Sequence, residues 1–375
     1  MDKVDLLILG ATGFTGKHTV KNLVRIIKNS TELQHVTWGI SARSKDKIQN
    51  LLSQLEDVGE EKSKITILEC DVQKDDLREV TKRTRVLINC TGPNTVLSEP
   101  IVKACLETRT HYVDISHVNS CPTYLINMQL PVYSHNQAAE EANVIIVPAC
   151  GFAVVPAIAG LMYLEKQFKG SLNTVESYTQ VLIPRRAYFP GPNKCLVHYG
   201  TWASLVHELQ NLQTYQNNFS RSFFHRNKGH VWFPYPGPDE DLVEMSQRYL
   251  YEKKGKKPYH YKMYTTTPMF FHMLFIVPVM FLYYYLCHLK CFRNLLWKYP
   301  RLFTLGYMSH KGPTEKMAKD TKFEMLFTGK GVDPNLKEQS LTIKVSGSDP
   351  GYDTTAITAL TCAIGILTES ERIPK

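Results

Sequence analysis

Along the first 150 residues, short runs of almost continuous apolar side chains alternate with longer stretches whose apolar positions recur every three or four residues. The runs VDLLIL (4–9), VTWGIS (36–41), ITILEC (65–70), RVLINC (85–90), HYVDI (111–115) and VIIVPA (144–149) predict strands. Between the first two lies TGKHTVKNLVRIIK (15–28), where Val20, Leu23, Val24 and Ile27 share one face of a helix. Strands apolar on both sides, separated by amphipathic helices, predict an α/β fold with a parallel sheet covered on both faces.

A second pattern appears far downstream. Residues 263–289 form a run of 27 without Asp, Glu, Lys or Arg, centred on PMFFHMLFIVPVMFLYYYLCHL (268–289). A spanning helix needs ~20 mostly apolar residues, so the length permits one. Pro278 interrupts the middle, His272 is polar, and basic residues flank both ends, which leaves the orientation rule undecided. An in-plane helix, or a kinked hairpin with both ends on one side, fits these features better, and Tyr283, Tyr284 and Tyr285 suit a wet interface. A buried helix or a homodimer contact is the alternative.

Composition sharpens this picture. With 375 residues, 43% hydrophobic and 21% charged, the chain is globular and long enough for two domains. Its formal charge of +9 is concentrated. From Lys253 to Lys322 there are 13 Lys and Arg against two acids, a local net of +11. That block flanks the apolar run and suggests an anionic surface such as a membrane; no nucleic-acid partner is expected. The first residues enter a strand at once, without a basic stretch and apolar core, so no secretory leader is expected. Nine scattered cysteines lack CxxC pairs and zinc-type spacing, and read as reduced thiols of a cytosol-facing protein with no metal site.

The candidate chemistry begins with GATGFTG, placed between the first strand and the first helix. Gly10 and Gly13 let the backbone turn and approach a pyrophosphate, and Gly16 lets the helix pack closely on the strand. Thr12 and Phe14 belong to the same loop, whose helix N-terminus attracts anions. After the second strand stand Ala42, Arg43, Ser44 and Lys45, where an NAD enzyme carries an acid. Arg43 and Ser44 suit a 2′-phosphate, so NADP is favoured, with NAD as the other dinucleotide. Asp71 follows the third strand and would meet the adenine or ribose edge. Cys90, Thr91 and Gly92 follow the fourth and would pass near the nicotinamide, since ligands sit at the carboxyl ends of such strands.

These motifs, followed in order by SARS, NCTGP, EPIVKAC, YVDIS, ACGF, HYGTW (198–202), SQRYLYE (246–252), GYMSHKGPTEK (306–316) and SGSDPGYDTTAITAL (346–360), resemble the saccharopine dehydrogenase-like oxidoreductases, relatives of bacterial trans-acting enoyl reductases. The resemblance implies a Rossmann domain with an inserted α+β domain. It also implies lipid or glycolipid metabolism and a place at lipid droplets, membranes or mitochondria. Accordingly, 1–150 is expected to bind the nucleotide and 151–345 to form the inserted substrate and dimerisation domain. Residues 346–375 are expected to return to the first domain.

The sequence also departs from that family. A usual GFDS-[IV]-P-x-D is here Gly151-Phe152-Ala153-Val154-Val155-Pro156-Ala157-Ile158, with both acids and the serine replaced by apolar groups. DISGE becomes Asp114-Ile115-Ser116-His117-Val118. Two functional readings follow. One is an NADP-dependent oxidoreductase acting on a lipid-like carbonyl or enoyl group. The other is a non-catalytic dinucleotide-binding protein of a lipid surface. His117, His198 and Tyr199 are the candidate acid or base groups.

Overall fold

The computed structural model describes residues 3–55, 65–92, 94–116, 131–189, 191, 194–211, 224–227, 229–235, 239–268 and 270–373. The chain divides into two compact units: 1–151 with 200–207 and 351–375, and 152–199 with 208–350.

The first unit is built on strands β1 (Val4–Leu9), β2 (Trp38–Ala42), β3 (Thr66–Glu69), β4 (Thr84–Asn89), β5 (His111–Asp114) and β6 (Ile146–Val147). They form one parallel sheet in the order β3-β2-β1-β4-β5-β6. The order reverses between β1 and β4, the crevice where doubly wound sheets bind ligands. Leu6 to Leu9 are essentially inaccessible, as expected for a strand covered on both faces. The last strand is shorter than its apolar run predicts. Pro148 has no N–H to donate, and Ala149 takes a left-handed φ of 58°, so the ladder ends at Val147.

Helices α1 (Phe14–Asn29), α2 (Lys45–Ser53), α3 (Arg78–Thr81), α4 (Asn94–Thr108) and α5 (Pro131–Ala142) connect the strands. Helix α1 buries Gly16, Thr19, Val20, Leu23 and Val24, the stripe anticipated from the 3.6-residue period.

The second unit begins with α6 (Val154–Gln167) and holds a mixed sheet, β14-β13-β7-β11-β10-β9. Its strands are β7 (Ser171–Leu182), β9 (His225–Asn227), β10 (His230–Pro234), β11 (His260–Thr265), β13 (Lys322–Val332) and β14 (Glu338–Ser348). Phe323, Met325 and Phe327 alternate inward along β13 and pack with Ala157, Leu161 and Leu164 of α6. Gly160 makes that contact close: a Cβ there would meet the Phe327 ring at 2.6 Å. A two-stranded parallel pair, β8 (Val197–His198) with β12 (Met308–Ser309), stands apart from the sheet.

Helix α7 (Tyr199–Asn211) follows β8, and α8 (Asp239–Lys254) precedes β11. The apolar run becomes α9 (Phe270–Leu286), followed by α10 (Lys290–Lys298) and α11 (Pro300–Phe303). Helix α12 (Glu315–Asp320) leads into β13, and α13 (Thr355–Thr368) closes the first unit. Among the described residues, no helix is long and apolar enough to cross a membrane.

Candidate functional site

The glycine loop sits at the carboxyl end of β1. Gly10 has φ +80° and donates its N–H to the Ser41 carbonyl at 2.8 Å; the Gly13 N–H bonds the Gly10 carbonyl at 2.9 Å. Side chains are excluded by crowding. A Cβ on Gly10 would lie 2.9 Å from the Thr91 backbone nitrogen, and one on Gly16 would lie 2.2 Å from the Gly10 oxygen. Gly13 is the N-cap of α1, without a side-chain cap and with no acid in the first turn. The result is an uncapped, positively polarised helix end under a glycine turn, which fits a dinucleotide pyrophosphate. Thr12 is half-buried and Gly13 exposed in this loop.

At the end of β2, Arg43 is exposed and takes part in no ion pair among the described residues. Ser44 caps α2, its hydroxyl oxygen accepting from the Lys47 N–H at 3.4 Å. The hydroxyl hydrogen remains to serve an anion. Asp71 shapes the turn after β3, accepting from the Gln73 N–H at 3.2 Å, with Lys74 at 3.7 Å.

After β4 comes a network that the sequence pattern did not single out. The Asn89 side-chain oxygen accepts from both the Thr91 N–H (2.9 Å) and the Thr91 hydroxyl (2.6 Å). The Asn89 amide donates to the Tyr112 hydroxyl (2.9 Å), which donates to Asp114 (2.8 Å). Asp114 also accepts from the Ser116 N–H and hydroxyl, and from the Ala149 N–H at 2.8 Å. Asn89, Tyr112 and Asp114 are all buried. This chain of bonds ties the carboxyl ends of β4, β5 and β6 together and fixes the Thr91 loop. Burial, and then the Asp114 charge, pushes the Tyr112 phenol well above its usual range, so it stays protonated and serves as a fixed link.

Cys90, 9% exposed, has a sulfur 3.5 Å from the Thr19 hydroxyl. Burial raises its pKa to about 11, which makes it a packing thiol rather than a nucleophile. Gly92 is exposed, with open space where a Cβ would stand.

The C-terminal segment completes this unit. Tyr352 packs edge-on against Phe14 with ring centroids 4.5 Å apart, and the Asp353 carboxylate bonds His18 Nδ1 at 2.7 Å and the Asn22 amide at 3.2 Å. Residues more than 330 positions apart thus hold the first turns of the nucleotide helix. No local sequence signal announces this pairing.

In the second unit, β8 and β12 bring the HYGTW and GYMSHKGPTEK motifs together. The Tyr199 and His310 rings pack together, tilted by 33°, with centroids 4.1 Å apart, and the Ser309 hydroxyl bonds the Cys195 sulfur at 3.3 Å. Burial lowers the His198 pKa, and the His310 charge adds to this while a bond to the His310 backbone opposes it. Burial raises that of Tyr199. His198 is thus biased towards its neutral imidazole, and the structure adds His310 to the two predicted residues. His117 lies outside the described residues.

The altered family segment is also well defined. Ala153, the N-cap of α6, has φ 77° and ψ −59° and no side-chain cap. A non-glycine residue in that γ-turn region is strained.

The apolar run forms a single helix that continues through Pro278, and its C-terminal end packs on the short helices that follow. Tyr283 donates its hydroxyl to the Phe303 carbonyl at 2.6 Å, and Tyr283, Phe292 and Phe303 pack with centroids 5.5–6.2 Å apart. Cys287 and Leu296 are fully buried beneath them. The outer surface is apolar at Leu274, Phe281, Leu282, Tyr285, Leu289, Leu295 and Leu302, and exposed cations stand beside it at Lys290, Lys298 and Arg301.

Comparison with known proteins agrees with this geometry. Residues 6–147 match the family model of the saccharopine dehydrogenase NADP binding domain. The chain is 29% identical to a saccharopine dehydrogenase-like oxidoreductase of Rattus norvegicus, over 99% of this chain and 90% of that protein. It is 26% identical to the lipid droplet localized protein of Caenorhabditis elegans, over 100% and 92%. Apo saccharopine dehydrogenase (L-Glu forming) from Saccharomyces cerevisiae shares the fold, with TM-score 0.54, 13% identity, and 98% and 92% of the chains covered. Over nearly its whole length the chain is therefore similar to the saccharopine dehydrogenase-like oxidoreductases, and its residues 6–147 match their NADP binding domain.

Proposed function

We propose that the protein is an NADP-dependent oxidoreductase acting on a lipid-like carbonyl or enoyl substrate at a lipid-droplet or membrane surface. The observation that carries the reading is the pairing of an intact glycine cradle with an apolar, cation-edged helical segment in one chain. Gly10, Thr12, Gly13, Phe14 and Gly16 would hold the pyrophosphate, and Arg43 and Ser44 the 2′-phosphate. Asp71 would border the adenosine, and Cys90, Thr91 and Gly92 the nicotinamide. Bound NADPH supplies a hydride. The protein's own work is placement. The Asn89–Tyr112–Asp114 network fixes the Thr91 loop, and His198, with its neutral imidazole, and Tyr199 would orient the substrate oxygen in the second unit. The worm relative's name, a lipid droplet protein, supports the surface assignment.

The second reading is a dinucleotide-binding protein of the lipid surface without catalysis. The apolar Ala153–Ile158 segment favours it, because the acids that stand there in relatives are replaced. Calorimetric titration with NADPH and NADH comes first, with Arg43→Ala in parallel. Tight NADPH binding, weakened by the substitution while NADH binding is unchanged, supports the site. Binding of neither nucleotide sinks both readings. Hydride consumption in a screen of enoyl and carbonyl lipids then separates the enzyme from the binding protein.

A further inference from the structure

The end of β6 and the last helix place two thiols together for which the nucleotide site has no use. Cys150 is 1% exposed, and Cys362 on α13 is half-buried. The Cys150 thiol donates to the Val147 carbonyl at 3.3 Å, and the two neighbouring thiols shift one another's pKa, Cys150 upward and Cys362 downward. The surrounding register confirms that this face of α13 lies along the 150–151 backbone. The Thr358 hydroxyl, four residues before Cys362, donates to the Cys150 carbonyl at 2.8 Å. One turn earlier, the Thr355 methyl would lie 3.3 Å from a Cβ on Gly151. Thr355, Thr358 and Cys362 therefore form one stripe at helical spacing against a single short segment. That segment is itself fixed, because the Cys150 N–H bonds the Asp114 carbonyl at 2.8 Å. All these residues belong to the first unit.

We propose that Cys150 and Cys362 form a hydroperoxide-sensitive dithiol that closes to an intramolecular disulfide. Cys362 is the attacking sulfur. It is the more accessible of the two, and its interaction with the neighbouring Cys150 thiol lowers its pKa. The thiolate attacks one peroxide oxygen; the S–O bond forms, the O–O bond breaks, and the departing hydroxide takes a proton to become water. The Cys150 sulfur then attacks the resulting sulfenic acid. The S–S bond forms, the S–O bond breaks, and the second hydroxide leaves as water with the Cys150 proton. Two thiols lose two electrons, and one hydrogen peroxide becomes two waters. In a reducing compartment such a pair is held as thiols and oxidised only transiently, which suits a sensing role better than a structural one.

The consequence is mechanical. Helix α13 packs on α1, the helix that the glycine loop starts, and also along β4 and β5. The disulfide would tie α13 covalently to the loop after β6, beside the Ala149 end of the network around Asp114.

The test uses the purified full-length chain, reduced, freed of reductant and treated with graded hydrogen peroxide. Remaining thiols are then alkylated and the peptides mapped without reduction. The expected result is a Cys150–Cys362 linked peptide, two hydrogens lighter than its reduced parts and abolished by dithiothreitol. It should appear at lower peroxide than oxidation of the exposed Cys291. Alkylated, unlinked Cys150 and Cys362 at peroxide levels that oxidise Cys291 would overturn the proposal. A Cys150→Ala variant, checked for folding by circular dichroism, should accumulate a dimedone-trappable sulfenic acid on Cys362. A folded variant with no adduct at Cys362 also overturns it. The mapping of the unmodified chain stands without that variant.

Discussion

The glycine loop and the apolar helical segment use their residues in opposite ways. Around Gly10 and Gly16 the useful groups are backbone N–H groups and empty space, so a single methyl at Gly16 would meet the Gly10 oxygen at 2.2 Å. In the apolar segment the useful groups are the side chains themselves. Buried Tyr283, Cys287 and Leu296 hold the helices together while Phe281, Leu282 and Tyr285 face outward. A site made of backbone tolerates divergence everywhere except at its glycines. A surface made of side chains keeps its character through composition, with no single position decisive.

The comparison breaks most readily at Gly16. Gly16→Ala should abolish measurable NADPH binding, because α1 must move away from the strand end, a strain of about 1–3 kcal/mol or more before the lost phosphate contacts are counted. Binding retained within a few-fold in calorimetry would show that the loop is looser than the geometry says. The double change Phe281→Asp with Leu282→Asp attacks the other side. Each side chain contributes about 1.5–3 kcal/mol when fully buried, so flotation with lipid droplets or anionic vesicles should fall about 100-fold. NADPH affinity should stay unchanged, and a folded variant that still floats completely would remove the apolar segment from the attachment. Next in size is Arg43→Ala, expected to weaken NADPH by about 10-fold, the loss of one charge-assisted contact, and to leave NADH untouched.

Two smaller effects sharpen the same contrast. Ala153→Gly relieves a positive-φ strain and should stabilise the protein by about 0.5–1 kcal/mol in urea unfolding; a destabilised variant would mean that the Ala153 methyl packs better than its backbone suffers. Asp353→Asn removes the partner of His18. The His18 hydrogen bond, opposed by burial and aided by the charges of His18 and Arg25, lowers the Asp353 pKa in the folded state. Its contribution is therefore full above the ordinary carboxylate range and is lost as pH falls through the depressed value. The carboxylate is about one-third exposed, so the effect is a few tenths of a kcal/mol, read as a shallower acid limb in the variant.

Much of the first unit is legible in order. The six predicted strands and the first helix match their elements to within two residues at each end, because continuous apolar runs and a clean 3.6-residue stripe leave little choice. The sixth strand is overpredicted, since apolarity does not reveal that Pro148 and a left-handed Ala149 end the ladder. The dinucleotide cradle is legible because its requirement is local: three glycines within seven residues, between a strand and a helix. The Asn89–Tyr112–Asp114 network is not, although each residue stands in a recognised strand. Nothing in LINC or YVDI says that adjacent parallel strands will stand in register with Asn89 beside Asp114.

The same division holds for the whole chain. Local pattern alone set the α/β class, the phosphate-binding loop, the candidate 2′-phosphate residues and an apolar segment edged by cations. Each depends on interactions spanning a few residues, where side-chain periodicity and backbone sterics act directly. Tertiary packing chose the rest: Tyr352 and Asp353 brace α1, His310 joins His198 and Tyr199, the end of the apolar helix packs on Phe292 and Phe303, and the Cys362 face of α13 lies along Cys150. Those pairings join positions up to 338 residues apart, and their partners are chosen by how sheets and helices stack, which no run of neighbouring residues encodes.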